Sequence, residues 1–162
     1  MTLSEKQKKL RIATIVDLVL HFFTALVLSL FFLWIKGGWL WPALCILGSI
    51  FIDLDHFIDY FIYYGFKLDL KKFFTHKYVT SGKVYIVFHS WELILILLMF
   101  SFKISWLVPF AAGMTVHLLI DQFISHTGKP LFYFLTYRAL YDFNAIALNP
   151  ELYKTLKEEE YE

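Results

Sequence analysis

The sequence predicts an all-α integral membrane protein: a four-helix transmembrane bundle with a short interfacial helix and a charged C-terminal tail. Three observations predict it. Hydrophobic residues make up 59% of the 162 residues and charged residues only 18%, against ~45–50% and ~25% in soluble domains. Four apolar stretches reach about the ~20 residues that cross a bilayer. Basic residues collect in alternate loops.

The first stretch, residues 12–35, follows Lys6, Lys8, Lys9 and Arg11. It is too long for the core of a cleavable signal and lacks a small-residue cleavage site, so it reads as a membrane helix. Lys36, Gly37 and Gly38 break the chain before the second stretch, residues 39–59, which residues 60–64 continue along the interface. The third is residues 84–102 and the fourth 104–125, with Lys103 alone between them in a tight turn. Residues 131–141 are aromatic but too short to span, and are expected at the inner interface. Pro150 precedes a tail ending in Glu158, Glu159, Glu160, Tyr161 and Glu162, a solvated end. The chain thus divides into a transmembrane domain, 1–128, and an interfacial segment with a cytoplasmic tail, 129–162.

Charge sets the orientation. Lys67, Lys71, Lys72, Lys77 and Lys83 lie in the middle loop, and Lys129, Arg138, Lys154 and Lys157 follow the fourth stretch. The other two loops hold one lysine each. Basic loops stay cytoplasmic, so both termini and the middle loop are expected inside a multi-pass cell-membrane protein. Trp39 and Trp41 then fall at the outer headgroup level. A net charge of +1 offers nothing to attract nucleic acid. The single cysteine, Cys45, excludes an intrachain disulfide and a cysteine metal cluster. Membrane lipid is the partner this composition implies.

The chemistry lies in residues that interrupt the apolar stretches. These are Asp17 and His21; Asp53, Asp55, His56 and Asp59; His89 and Glu92; His117 and Asp121. A charged side chain at the bilayer centre costs at least ~2.5–3.5 kcal/mol. Such groups persist where they pair, bind something or line a wet cavity. Counted at ~1.5 Å per residue, His21, Asp53, His89, Glu92 and His117 all fall roughly 8–13 Å from the inner face. The other leaflet offers only weak groups such as Ser29, Cys45 and Ser101.

Spacing points the same way. Asp17/His21 and His117/Asp121 are four apart; Asp53/His56 and His89/Glu92 are three apart. Each pair would share a helix face, as in bundles that hold two metals. A single intramembrane His or Asp is more often interhelical glue. Four pairs at one depth favour a metal site instead. Asp17 and Asp59 fit helix ends or a supporting layer, and His76 and His126 fall in loops. Ser90 follows His89 without the Gly-x-Ser-x-Gly context of a serine nucleophile.

The order His21, then Asp53-Leu54-Asp55-His56, then His89-Ser90, then His117-Leu118-Leu119-Ile120-Asp121 resembles the membrane-bound metal-dependent hydrolases of bacteria and archaea. That family is thought to be distantly phospholipase C-like, with zinc. The resemblance spans residues 17–126. It departs at Ile52, where the family often has proline, and at His76-Lys77, far upstream of the family's usual His-Arg-Gly position. The matched set is His21, Asp53, His56, His89, His117 and Asp121. Glu92 rests on helix spacing alone.

The expectation is therefore a metal-dependent hydrolase opening to the cytoplasmic leaflet, probing lipid ester or phosphodiester bonds. His21, Asp53, His56, His89, His117 and Asp121 are the expected metal ligands. Mixed imidazole and carboxylate donors suit zinc, with manganese or iron fitting where carboxylates dominate. Asp55 or Glu92 would act as general base. The alternatives are a metal-ion or proton transporter, since relays use the same residues, and a non-catalytic membrane scaffold.

Overall fold

The computed structural model describes residues 3–73, 77–125, 129–150, 153, 154 and 157. Among them it is all-helical, with one isolated β-bridge, Lys83 to Asn144, and no strand. His76, His126 and the run Glu158 to Glu162 lie outside the described residues.

Three helical segments are long and apolar enough to cross a membrane: Ile15–Lys36, Leu40–Tyr64 and Leu107–Ile124. The first is the apolar part of α1, Leu3–Lys36. Its buried residues Ala25, Ser29 and Phe32 continue the line of His21, one helix face at spacings of three and four. Elsewhere on this helix Phe22, Phe23 and Trp34 are between 60% and 81% exposed. That apolar exterior matches lipid contact better than water. Gly37 and Gly38, both at positive φ, make the turn that a side chain would strain.

The second segment comprises α2, Leu40–Phe51, and α3, Leu54–Tyr64, joined by a turn at Ile52 and Asp53. Opposite α2 lies α6, Leu107–Ile120. These two helices meet backbone to backbone. A Cβ on Gly48 would sit 2.0 Å from the Phe110 carbonyl oxygen, and one on Gly113 would sit 2.1 Å from that of Cys45. Small residues permit such approach in apolar surroundings. The contact draws the lower ends of both helices together, and those ends carry Asp53 and His117.

The expected third span is only partly helical. The helix α5, Trp91–Ser101, has 11 residues, roughly 16 Å of a ~30 Å hydrocarbon core. Residues 84–90 are irregular, and Ile86 has a positive φ of 30°. Ser90 starts α5 instead: its hydroxyl accepts a hydrogen bond from the Leu93 N–H. The reason for the irregular strap is polar. Asp59 accepts from the Tyr85 N–H at 3.0 Å, and Asp55 from the Phe88 and His89 N–H groups at 2.6 and 3.0 Å. Side-chain carboxylates thus replace the helical hydrogen bonds of this stretch.

The segment expected at the interface packs into the bundle. It contains the short helix α7, Leu135–Leu140, and is followed by α8, Ala145–Leu148; α4, Leu70–Phe73, lies in the middle loop. Phe132, Tyr133, Ala145 and Leu148 share one buried core with Ile52, Val84, Ile86, Ile94, Met114 and Leu118. Residues on both sides of the expected 128/129 division therefore belong to one core. The Val84 N–H bonds to the Phe143 carbonyl and the Trp91 N–H to that of Tyr133, so this segment also holds the strap.

Candidate metal centre

Four separate pieces of chain bring the six expected ligands together. His21 comes from α1, Asp53 and His56 from the α2–α3 junction, His89 from the strap, and His117 and Asp121 from the end of α6. Where α6 ends, Asp121–Ser125 form a π-turn, a wider turn often found at functional sites.

The distances define two neighbouring sets. In one, His21, His117 and Asp121 each offer an atom within 4.8 Å of the others; in the other, Asp53, His56 and His89 do the same. His21 Nε2 lies 3.1 Å from Asp121 Oδ1, and His117 Nε2 lies 3.6 Å from Asp121 Oδ2. Asp53 Oδ1 lies 3.9 Å from His56 Nε2 and 3.6 Å from His89 Nε2. Every ring thus turns Nε2 toward a shared carboxylate.

The opposite edge of three rings is held. His21 Nδ1 donates to the Asp17 carbonyl at 2.8 Å. His89 Nδ1 donates to Asp55 Oδ1 at 3.0 Å. His56 Nδ1 lies 3.3 Å from the hydroxyl of the buried Tyr78. A partner on Nδ1 leaves Nε2 as the lone-pair donor, the arrangement that orients metal-binding histidines. Among the described residues, the buried His117 Nδ1 has no hydrogen-bond partner.

No protein family, curated sequence or solved structure matches this chain. The case for the site therefore stands on its geometry.

The two expected general bases are engaged elsewhere. Asp55 is fully buried behind His89, with its carboxylate engaged by the His89 ring and two backbone N–H groups. It orients His89. Glu92 is not in the cluster. Because the helix begins after Ser90, Glu92 does not share a helical face with His89. Its carboxylate accepts from the Leu135 N–H at 2.9 Å and from the Thr136 N–H and hydroxyl at 3.0 and 2.7 Å. It caps α7.

Two further residues support the site without having been singled out in the sequence. Tyr78 backs His56, and no local pattern marks it. Arg138 is completely buried. Its guanidinium donates to the carbonyls of Ile86, His89 and Phe132 at 2.9–3.0 Å. Burial lowers its pKa to about 10, so it stays a cation at neutral pH beside the acidic centre. The signal was available: Arg138 is the one charge within the aromatic run 131–141.

Proposed function

We propose that the chain is a membrane-embedded metal-dependent hydrolase acting on a lipid ester or phosphodiester at the cytoplasmic leaflet. One observation carries this reading: six His and Asp side chains converge, with three of the four rings oriented from behind. Interhelical glue needs one partner per group, not a shared focus for four imidazoles and two carboxylates. The resemblance to membrane-bound metal-dependent hydrolases rests on the same six residues.

Zinc, manganese or iron held there would lower the pKa of a bound water toward ~7 and polarise the scissile group. The chain's own residues set the rest. Asp53, with its side chain 49% exposed against 13% for Asp121 and 0% for Asp55, is the carboxylate most open to a substrate. Asp55, Asp17 and Tyr78 fix the rings. The lysine distribution supports four crossings, with α5 and the strap together making the third and both termini cytoplasmic. Irregular backbone at membrane depth is tolerated where protein buries it, and Val84, Ile86, His89 and Ser90 are buried.

A transporter would carry polar groups through both leaflets. Away from the cluster, the buried residues of α1, α2 and α6 among those described include Ala25, Ser29, Cys45, Gly48, Ser49 and Ala111, none of which is a carboxylate, imidazole or amine that would relay an ion. The test is gently purified protein assayed for bound metal and for hydrolysis of headgroup-labelled lipids with and without chelator. Stoichiometric metal and chelator-sensitive hydrolysis are expected. Metal-free protein, indifferent to chelator and to added metal, would remove the hydrolase reading and leave the scaffold.

A further inference from the structure

The geometry points to a centre for two metal ions, bridged by Asp121 and Asp53; this rests on the metal-dependent reading above. A single ion takes four to six donors around one point. Here the six donors fall into two triads, His21, His117 and Asp121 in one and Asp53, His56 and His89 in the other. Each triad has two imidazoles and one carboxylate, a sufficient set for a divalent ion that keeps open positions.

The carboxylates then reach across. Asp121 meets His21 of its own triad through Oδ1 at 3.1 Å, and His89 of the other through Oδ2 at 3.4 Å. Asp53 Oδ1 meets His117 of the opposite triad at 3.3 Å, closer than either histidine of its own. Asp121 thus turns its two oxygens to histidines of different triads, and Asp53 turns one oxygen to histidines of both, so each is placed between the two sets.

The rings pair in the same way. The centroids of His21 and His117 are 4.0 Å apart and those of His56 and His89 4.9 Å, whereas His89 and His117, across the divide, are 5.5 Å apart. His21 Nε2 is buried and makes no aligned hydrogen bond despite the nearby Asp121 oxygen. Close approach without alignment suits two donors directed at one ion. Each triad also has its own backing, Asp17 and none of the other's partners for His21, Asp55 and Tyr78 for His89 and His56. In such pairs one ion can hold the attacking oxygen and the other the leaving oxygen.

The experiment uses the full chain in detergent, stripped with chelator and loaded with manganese(II) alone. Bound metal is counted after gel filtration, and the electron paramagnetic resonance spectrum is recorded. Two ions per chain with a spin-coupled spectrum are expected. His21→Gln and His56→Gln should each keep one ion and give an uncoupled spectrum. One uncoupled ion in the wild type overturns the pair and leaves the single-metal hydrolase standing. No ion at all overturns both. The wild-type count and spectrum decide the matter even if a variant fails to fold.

Discussion

The bundle holds its helices together in two different ways. Away from the cluster, α2 and α6 meet through Gly48 and Gly113 with backbone against backbone, and the one buried polar group of α1 there, Ser29, bonds to its own helix at Leu26. At the cluster, the same helices face each other through Asp53 and His117 at 3.3 Å, with His21, His56, His89 and Asp121 around them. The first contact already supplies adhesion, by close packing and without carboxylates or imidazoles. The second is then not needed to hold the helices, and its polar groups, each costly in apolar surroundings, require another explanation. That contrast is the strongest argument against glue.

The sharpest way to break the comparison is to replace a polar residue on each side of it. His117→Ala and Asp53→Ala should lower metal affinity by about 100-fold or more, a loss of at least ~2.7 kcal/mol of binding, and should abolish the stabilising effect of metal on unfolding. Ser29→Ala, in the dry half, should keep full metal content. Side-by-side elemental analysis and thermal unfolding read both. If all three variants behave alike, the two halves do not differ in kind.

Arg138 tests what holds the strap. Arg138→Met leaves the Ile86, His89 and Phe132 carbonyls without their donor and should cost about 3–5 kcal/mol. Metal content should fall with it, because His89 is carried by the strap. Arg138→Lys keeps the charge but not the forked donor geometry, so it should rescue only part of the loss. Unfolding curves that match wild type in Arg138→Met would show that the strap is held by its carboxylate contacts alone.

The ligands were legible in the sequence because ionisable residues stand out against apolar surroundings and their cost implies a purpose. His21, Asp53, His56, His89, His117 and Asp121 needed no knowledge of the fold to be noticed. What was not legible was the backbone between Val84 and Ser90. Val84-Tyr85-Ile86-Val87-Phe88 has the hydropathy of a membrane helix whether it is helical or extended, and the choice is made by Asp55, Asp59 and Arg138, all more than 25 residues away in sequence. The misreading of Glu92 follows directly. A spacing of three from His89 means a shared face only inside one helix, and the Ser90 cap resets the count. The place of Asp55 behind His89 was hidden for a different reason: sequence shows that a carboxylate is near the site, not which side of a histidine it occupies.

Gly113 probes the dry half with a smaller change. Gly113→Ala would place a methyl 2.1 Å from the Cys45 carbonyl oxygen, so α2 and α6 must separate. Overpacking of this kind costs about 1–3 kcal/mol. Metal binding should weaken only in part, since Asp53 and His117 are several residues beyond the contact and Asp121 and His89 still join the two triads. Complete loss of metal at unchanged stability would mean that the glycine contact is part of the site rather than its support.

The smallest effect should come from Glu92, and it separates two roles for one carboxylate. As a cap, Glu92 accepts three hydrogen bonds at the start of α7. Glu92→Gln keeps one accepting oxygen and loses the charge-assisted part of the others, which should cost about 0.5–1.5 kcal/mol. Metal content should stay at the wild-type level, and lipid hydrolysis should persist with little change in rate. A general base behaves differently under the same substitution. Removing its proton-accepting charge would lower turnover by roughly 100-fold or more, with bound metal and unfolding temperature unaltered. Measuring all three quantities on Glu92→Gln therefore assigns its role. A modest loss of stability with turnover and bound metal kept is the expected pattern, and lost turnover at unchanged stability would return Glu92 to the chemistry and make the α7 contact incidental.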